Sequence, residues 1–454
     1  MKVSTDQQAE DCSTLQGLGV GVQKMNLVDG CIRISKEEVN RLKAVLDRAL
    51  DDDRHDCTTH LEHYEALLRA EVSALGNHHP STLATLCDMA GAYRSQGNYP
   101  RALECYERAL CGKQKVLQKD HPSTLETLGN LALICYYMGD FPKSIESYKR
   151  ALEGYEASLS KDHPKTLAIA SNLASAYNEA KQYNQAIEVY QRVLSGEEST
   201  LGKGRASTMS HMAQVYLNQG DWVQSLKWYN RVLKEEEAAG QHHPSTLANM
   251  GLVYGRLGNQ EKSIELYERA KNGYESTFGA NHPHTVDILN ILARAYQNQE
   301  NYSQSLECYQ KVLQSYEKDL GTNHPSTLTT VCNMADVYHG QGRYAKASEF
   351  YQRALKAEEE ILGRNHPSTL TTVSNLALVN SYLGRKGYET ARDYYQRAID
   401  GWEKSLGRDH PNTLTTVCNL ASMHNDQGEC VKALELYHRV LEGYETALGK
   451  HHPS

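Results

Sequence analysis

The sequence predicts an all-α protein made of tandem two-helix units, and three observations carry that prediction. The dipeptide His-Pro returns at His79, His121, His163, His243, His282, His324, His366, His410 and His452, most often 42 residues apart. Between successive marks, apolar and small residues recur twice over with the 3.6-residue period of a helix. Tyrosine occurs 29 times against 3 Phe and 3 Trp, the bias of one short template copied many times. One mark is lost, at Arg205-Ala206; with it counted, His79 to His452 holds nine units.

Within a unit the elements follow in order. Proline opens helix A, where its missing N–H costs nothing. Counted from that proline, offsets 3, 6, 9, 10 and 13 are apolar, small or Tyr. Leu83, Leu86, Met89, Ala90 and Tyr93 show it in the first unit; Leu328, Val331, Met334, Ala335 and Tyr338 repeat it in the seventh. At about 100° per residue they form one buried stripe. A turn such as Gln96-Gly97-Asn98-Tyr99 follows. Helix B then carries a small or β-branched residue, Tyr four later and another small or β-branched residue three after that, as in Ala102/Tyr106/Ala109 and Ser144/Tyr148/Ala151. Small residues let helices approach and tyrosine fills the space beside them. Leu320-Gly321 and Leu362-Gly363 read as C-terminal glycine stops.

The irregular units obey the same logic. The fourth and fifth lack three residues of helix A, close to one turn, so the stripe survives. The eighth gains two, expected in the inter-helix turn near Gly384–Gly387. Residues 1–34 are non-periodic and expected to be a flexible N-terminal segment; 35–78 read as a degenerate first repeat; 79–454 carry the nine units. The last unit stops at His451-His452-Pro453-Ser454 without a capping helix, and self-association through that bare end is one expectation.

Composition excludes several function classes. With 48 basic and 56 acidic residues the net charge is −8, against a nucleic-acid partner. No run reaches the roughly 20 apolar residues of a membrane span, and the N-terminus lacks a signal-peptide core. Eleven scattered cysteines with no Cys-x-x-Cys suit free thiols in a reducing, cytoplasmic setting. A basic residue recurs in helix B, at Arg108, Arg150, Arg192, Arg353, Arg397 and Arg439 among others. An acid four residues earlier, such as Glu104, Glu188 or Glu435, is expected to neutralise it as a surface pair. The His-Pro histidines stand one unit apart, too far to converge on a metal, and are expected to cap helix A. No phosphate loop, zinc motif or catalytic constellation is present, so neither cofactor nor catalytic residue is expected.

Met89-Ala90-x-x-Tyr93, Ala102-x-x-x-Tyr106-x-x-Ala109 and Pro122 resemble the tetratricopeptide repeat. Its usual 34 residues are exceeded by eight, all between the last small residue of helix B and the next proline. With Leu-Gly-x-x-His-Pro joining units and Asn-Leu-Ala in helix A, the pattern is similar to the 42-residue repeat of kinesin light chains, over roughly residues 60–454. The resemblance implies a right-handed α-solenoid, a superhelix of helix-turn-helix repeats whose concave face binds cargo or adaptor peptides. No long heptad segment for pairing with a kinesin heavy chain precedes the repeats, so the likeness to kinesin-related machinery rests on the repeats alone.

The candidate site lies opposite the buried stripe. Offset 8 of helix A holds Asp88, Asn130, Asn172, Ile291, Asn333, Asn375 and Asn419, with His211 and Asn249 at the equivalent place of the shortened units. Asparagine is a poor helix former, so its recurrence needs a cause. Either the amides bond the backbone of an extended peptide, or they bridge adjacent helices. The resemblance attaches peptide contact to Asn130, Asn172, Asn333, Asn375 and Asn419. Asn249 joins them by position, and Arg94 and Arg294 add positive charge on that face. Glu126, Asp287, Asp336 and Asp426 make the groove mixed in charge, so the acidic-peptide preference of light chains is not expected. The function expected is a non-enzymatic scaffold or adaptor for peptide segments. The alternatives are a self-associating array or the recruiting part of a larger protein.

Overall fold

The computed structural model describes residues 26–28, 31–33, 37, 39–41, 43, 44, 57–199, 205–240 and 243–448. It is helical apart from a short hairpin in which β1 (Asn26–Val28) pairs antiparallel with β2 (Cys31–Arg33), Leu27 opposite Ile32. The periodicity argument missed this hairpin, although Asp29-Gly30 between the strands is a strong turn signal. Of residues 1–34, for which flexibility is the expectation, residues 1–25, 29, 30 and 34 lie outside the described residues.

The chain divides into two compact bodies, residues 1–235 and 236–454. In the first, α1 (Cys57–Leu75) precedes the hairpins α2 (Pro80–Ser95) with α3 (Tyr99–Val116), α4 (Pro122–Tyr137) with α5 (Phe141–Ser158), and α6 (Pro164–Glu179) with α7 (Tyr183–Ser199). α8 (Arg205–Gln219) and α9 (Trp222–Ala238) follow. The second body holds α10 (Pro244–Arg256) with α11 (Gln260–Phe278), α12 (Pro283–Asn298) with α13 (Tyr302–Asp319), and α14 (Pro325–Gly340) with α15 (Tyr344–Ile361). It continues with α16 (Pro367–Ser381) and α17 (Arg385–Leu406), then α18 (Pro411–Asp426) and α19 (Cys430–Leu448). Within each body helices pack on their sequence neighbours, so hairpin follows hairpin as a solenoid requires.

Local chemistry sets the boundaries. His79, His121, His163, His282, His324, His366 and His410 each cap the helix that follows: the ring Nδ1 accepts the backbone N–H two residues on, at 3.1–3.3 Å. The threonine two residues beyond the proline ties down the preceding loop. Thr124 donates to the Gln118 carbonyl, Thr327 to that of Gly321 and Thr413 to that of Gly407, at 2.8–3.0 Å. At Gly321 φ is +93°, the left-handed stop the Leu-Gly pattern predicts.

The core repeats with the units. Leu125, Leu128, Leu131 and Ala132 of α4 are buried, as are Tyr148, Ala151 and Leu152 of α5. Where helix B begins its small-residue pattern with serine, the hydroxyl clamps the hairpin: Ser144, Ser225, Ser263 and Ser305 donate to the carbonyls of Ala132, Ala213, Gly251 and Ala293 at 2.7–2.8 Å. Gly154 sits so close to α4 that a Cβ there would lie 2.4 Å from Leu125 Cδ2.

Two expectations are corrected. Four basic residues of helix B pair not with the acid four residues earlier but with a glutamate on helix B of the preceding unit. Arg192 pairs with Glu156, Arg353 with Glu317, Arg439 with Glu403, and Arg397 with Glu359 at 2.6 Å. The long arginine side chain reaches across the helix contact to a carboxylate on the neighbouring B helix. Lys311–Glu307, at 3.0 Å, does keep the i,i+4 form. The two extra residues of the eighth unit enter helix B rather than the turn. α17 has 22 residues against 18 in α15, and Gly387 brings its backbone so near that a Cβ would lie 2.1 Å from the Asn380 carbonyl oxygen. α10, with 13 residues against 16 in α12, carries the three-residue loss of the fifth unit.

Candidate peptide-binding groove

Successive A helices touch through small polar side chains at a fixed register. Cys87 Sγ lies 3.6 Å from Thr127 Oγ1, Cys332 Sγ 3.7 Å from Thr372 Oγ1, and Ser374 Oγ 3.4 Å from Thr416 Oγ1. Each contact joins offset 7 of one unit to offset 5 of the next. The offset 8 ladder therefore stands beside these contacts on neighbouring helices.

Asn130, Asn249, Asn333, Asn375 and Asn419 are half-buried, and Asn172 is exposed. Asn375 shares a hydrogen bond with the Tyr351 hydroxyl, the bridging role that the second reading of the ladder foresees. The other five amides carry no side-chain hydrogen bond among the described residues. Asp88 and Asn130 line one recess of about 430 Å³ with Cys87, Tyr106, Lys113 and Glu126. Burial raises the Asp88 carboxyl above the usual range, against the opposing pull of Lys113. His211 stacks on Tyr190 at 5.7 Å, and burial against its surroundings lowers its pKa. Arg94 is half-buried in the last turn of α2, and Arg294 is exposed on α12.

The helix B tyrosines reach this face from below. Tyr190 bonds Ser175 at 2.7 Å, Tyr229 donates to Gln214 at 3.2 Å, and Tyr351 donates to Asp336. All three partners stand at offset 11 of helix A or its equivalent, and Asp336 among them is one of the residues expected to line the open groove. Offset 11 is thus partly used up by the hairpin itself. In the sixth unit that place holds Arg294, a donor only, and the buried Tyr309 hydroxyl has no hydrogen-bond partner. Burial pushes the Cys332 thiol, one helical turn before Asp336, up to about 12. Among the described residues no group of three His, Cys, Asp or Glu side chains could hold a metal ion. No helix among them is long and apolar enough to cross a membrane.

No recurring motif marks the position nine residues before each helix-opening proline, yet its side chain can also reach this face. Lys113 occupies it in the first unit. Its ammonium is buried and donates to Thr127 Oγ1 at 2.8 Å and to the Ser123 carbonyl and Cys87 Sγ at 3.4 Å. This column changes chemistry from unit to unit, as Glu71, Lys113 and Tyr155 show, so recurrence does not mark it.

Comparison with known proteins adds the following. The tetratricopeptide repeat family profile matches residues 54–115, 102–157, 123–198, 204–276, 244–318, 285–360, 332–387 and 380–446. Among solved structures, nearly identical tetratricopeptide-like repeats of a Podosopora anserina protein provisionally assigned as a kinesin light chain share 24% identity. They cover 46% of this chain and 99% of that one, with a TM-score of 0.41. A signal transduction ATPase with a tetratricopeptide repeat sensor from Pyrococcus horikoshii shares 14% identity over 96% of this chain and 63% of its own, with a TM-score of 0.57. Aspartyl phosphate phosphatase F of Bacillus subtilis shares 14% over 80% and 96%, with a TM-score of 0.47. Among curated proteins none matches the chain.

Proposed function

Because this chain belongs to the tetratricopeptide repeat family, we propose that it is a non-enzymatic adaptor whose A helices hold an extended peptide segment through their asparagine amides. One observation carries this reading. Amides recur at one register of successive A helices, partly open to solvent, and five of six spend no hydrogen bond on the fold. A side-chain amide offers both a donor and an acceptor, the pair an extended backbone needs. The groove's mixed charge, with Asp88 and Glu126 near Lys113, favours a segment carrying both signs over a purely acidic one. The 42-residue repeat extends the proposal to cargo or adaptor segments of the kind kinesin light chains take.

The test replaces Asn130, Asn172, Asn333 and Asn419 with Ala and measures fluorescence anisotropy with peptides selected on the unmodified chain. Each lost amide contact is expected to weaken binding about 2–10-fold, since a neutral hydrogen bond contributes about 0.5–1.5 kcal/mol. Helicity should be unchanged or raised, Ala being the better helix former. Full affinity in the fourfold variant would remove the amide mechanism.

A further inference from the structure

We propose that Glu358 is a subsite for a lysine side chain of the guest segment, which rests on the groove reading above and gives it a specificity element. The position is the one nine residues before each helix-opening proline. Of its eight occupants before the prolines that open helices here, Glu71, Lys113, Tyr155, Glu358 and Trp402 are buried, and Glu235, Tyr274 and Tyr316 are half-buried. At two of them the hydroxyl of the next unit's offset 5 residue stands over the charged group: Thr127 over Lys113 at 2.8 Å, and Thr372 over Glu358. A position serving packing alone would keep one residue in repeats this similar. Here it runs from acid to base to aromatic. Lys113 and Glu71 find their polar partners within the chain, in Thr127 and Ser123 and in Lys43 and Ser81, whereas Glu358 does so only in part.

At Glu358 that chemistry is unfinished. The carboxylate is 6% exposed, and Thr372 bonds it, yet Oε2 is buried with no hydrogen-bond partner. A buried carboxylate oxygen left so is costly, and a cation is what satisfies it best. Burial also holds the group above the usual carboxyl range, as an uncompensated charge should be.

The space around it selects the cation. Glu358 lines a chamber of about 50 Å³ with Leu328, Thr329, Ile361, Leu362 and Ser368. The ammonium of lysine, a compact point charge on a flexible four-carbon stem, places fewer demands on the shape of such a chamber than a planar guanidinium does. Ile361, 48% exposed beside the chamber, offers an apolar shelf on which a four-carbon stem can lie. Thr329, exposed on α14 four residues before Asn333 of the offset 8 ladder, places the chamber at the groove edge.

Random dodecapeptides displayed against the unmodified chain and against Glu358→Gln test this. Lysine should be enriched at one position on the unmodified chain and not on E358Q. A selected peptide should lose tenfold or more in affinity when that lysine becomes norleucine, and E358Q should cost the same factor, with no further loss when both are made. Gln keeps the Thr372 bond, so melting should show E358Q folded; the norleucine peptide needs no protein variant at all. Lysine not enriched, arginine taken equally well, or a norleucine penalty that persists undiminished in E358Q would overturn the subsite. If the asparagine substitutions abolish binding while E358Q leaves it intact, the groove stands and the lysine subsite falls. If the unmodified chain selects no peptide, both fall.

Discussion

Tyr148→Ala is expected to destabilise the α4–α5 hairpin by about 3–5 kcal/mol, the range for deleting a buried aromatic ring. Tyr148 is 1% exposed and packs with Ala132, Ile145, Leu152 and Leu173. Burial above all drives its phenol pKa upward, with Tyr137, Tyr136 and Cys135 adding to it. Because units in a repeat array couple chiefly to their neighbours, the loss should be local. Amide hydrogen exchange should accelerate through α4 and α5 and much less in α1. Tyr137→Ala, which removes a ring 50% exposed, serves as the comparison and should cost under about 1 kcal/mol. A Tyr148→Ala loss as small as that of Tyr137→Ala would mean that the helix B tyrosines do not build the core.

The second large effect is overpacking at Gly154. A Cβ there would meet Leu125 Cδ2 at 2.4 Å and Cδ1 at 2.8 Å. Gly112 meets Leu83, and Gly401 meets Leu370, in the same way. The seventh unit has Ala357 opposite Leu328 at this place, so the hairpin can open enough for one methyl group. Gly154→Ala should therefore be close to neutral: the helix gains up to about 1 kcal/mol in propensity, and the leucine must shift. Gly154→Val adds two branches with nowhere to go and should cost about 1–3 kcal/mol. Denaturant midpoints for the pair decide it; equal stability of the two variants would contradict the close approach.

Much of this was legible in the sequence. The buried stripe of Leu83, Leu86, Met89 and Ala90 follows from helical period, and the His-Pro caps follow from a ring nitrogen held beside a proline-opened helix. What escaped are contacts set by how helices lie against one another. No spacing rule sends Arg353 to Glu317 rather than Glu349, because the choice depends on the approach of two helices. A wheel assigns offset 11 to solvent, but it cannot see Tyr190 reaching Ser175 from the partner helix. The β1–β2 hairpin escaped because its three-residue strands are too short to show a period. Glu358 escaped for the reason given for Lys113: function that varies from repeat to repeat leaves no recurring mark.

The most direct measurement is a crystal structure of the chain with a selected peptide. It should show the guest extended along the A helices, its backbone amides and carbonyls within about 3 Å of the side chains of Asn130, Asn172, Asn333 or Asn419. A guest seated on the exposed faces of helices B, or at the bare apolar side of α19 where Val431 and Leu434 are 72% and 61% exposed, would contradict the account.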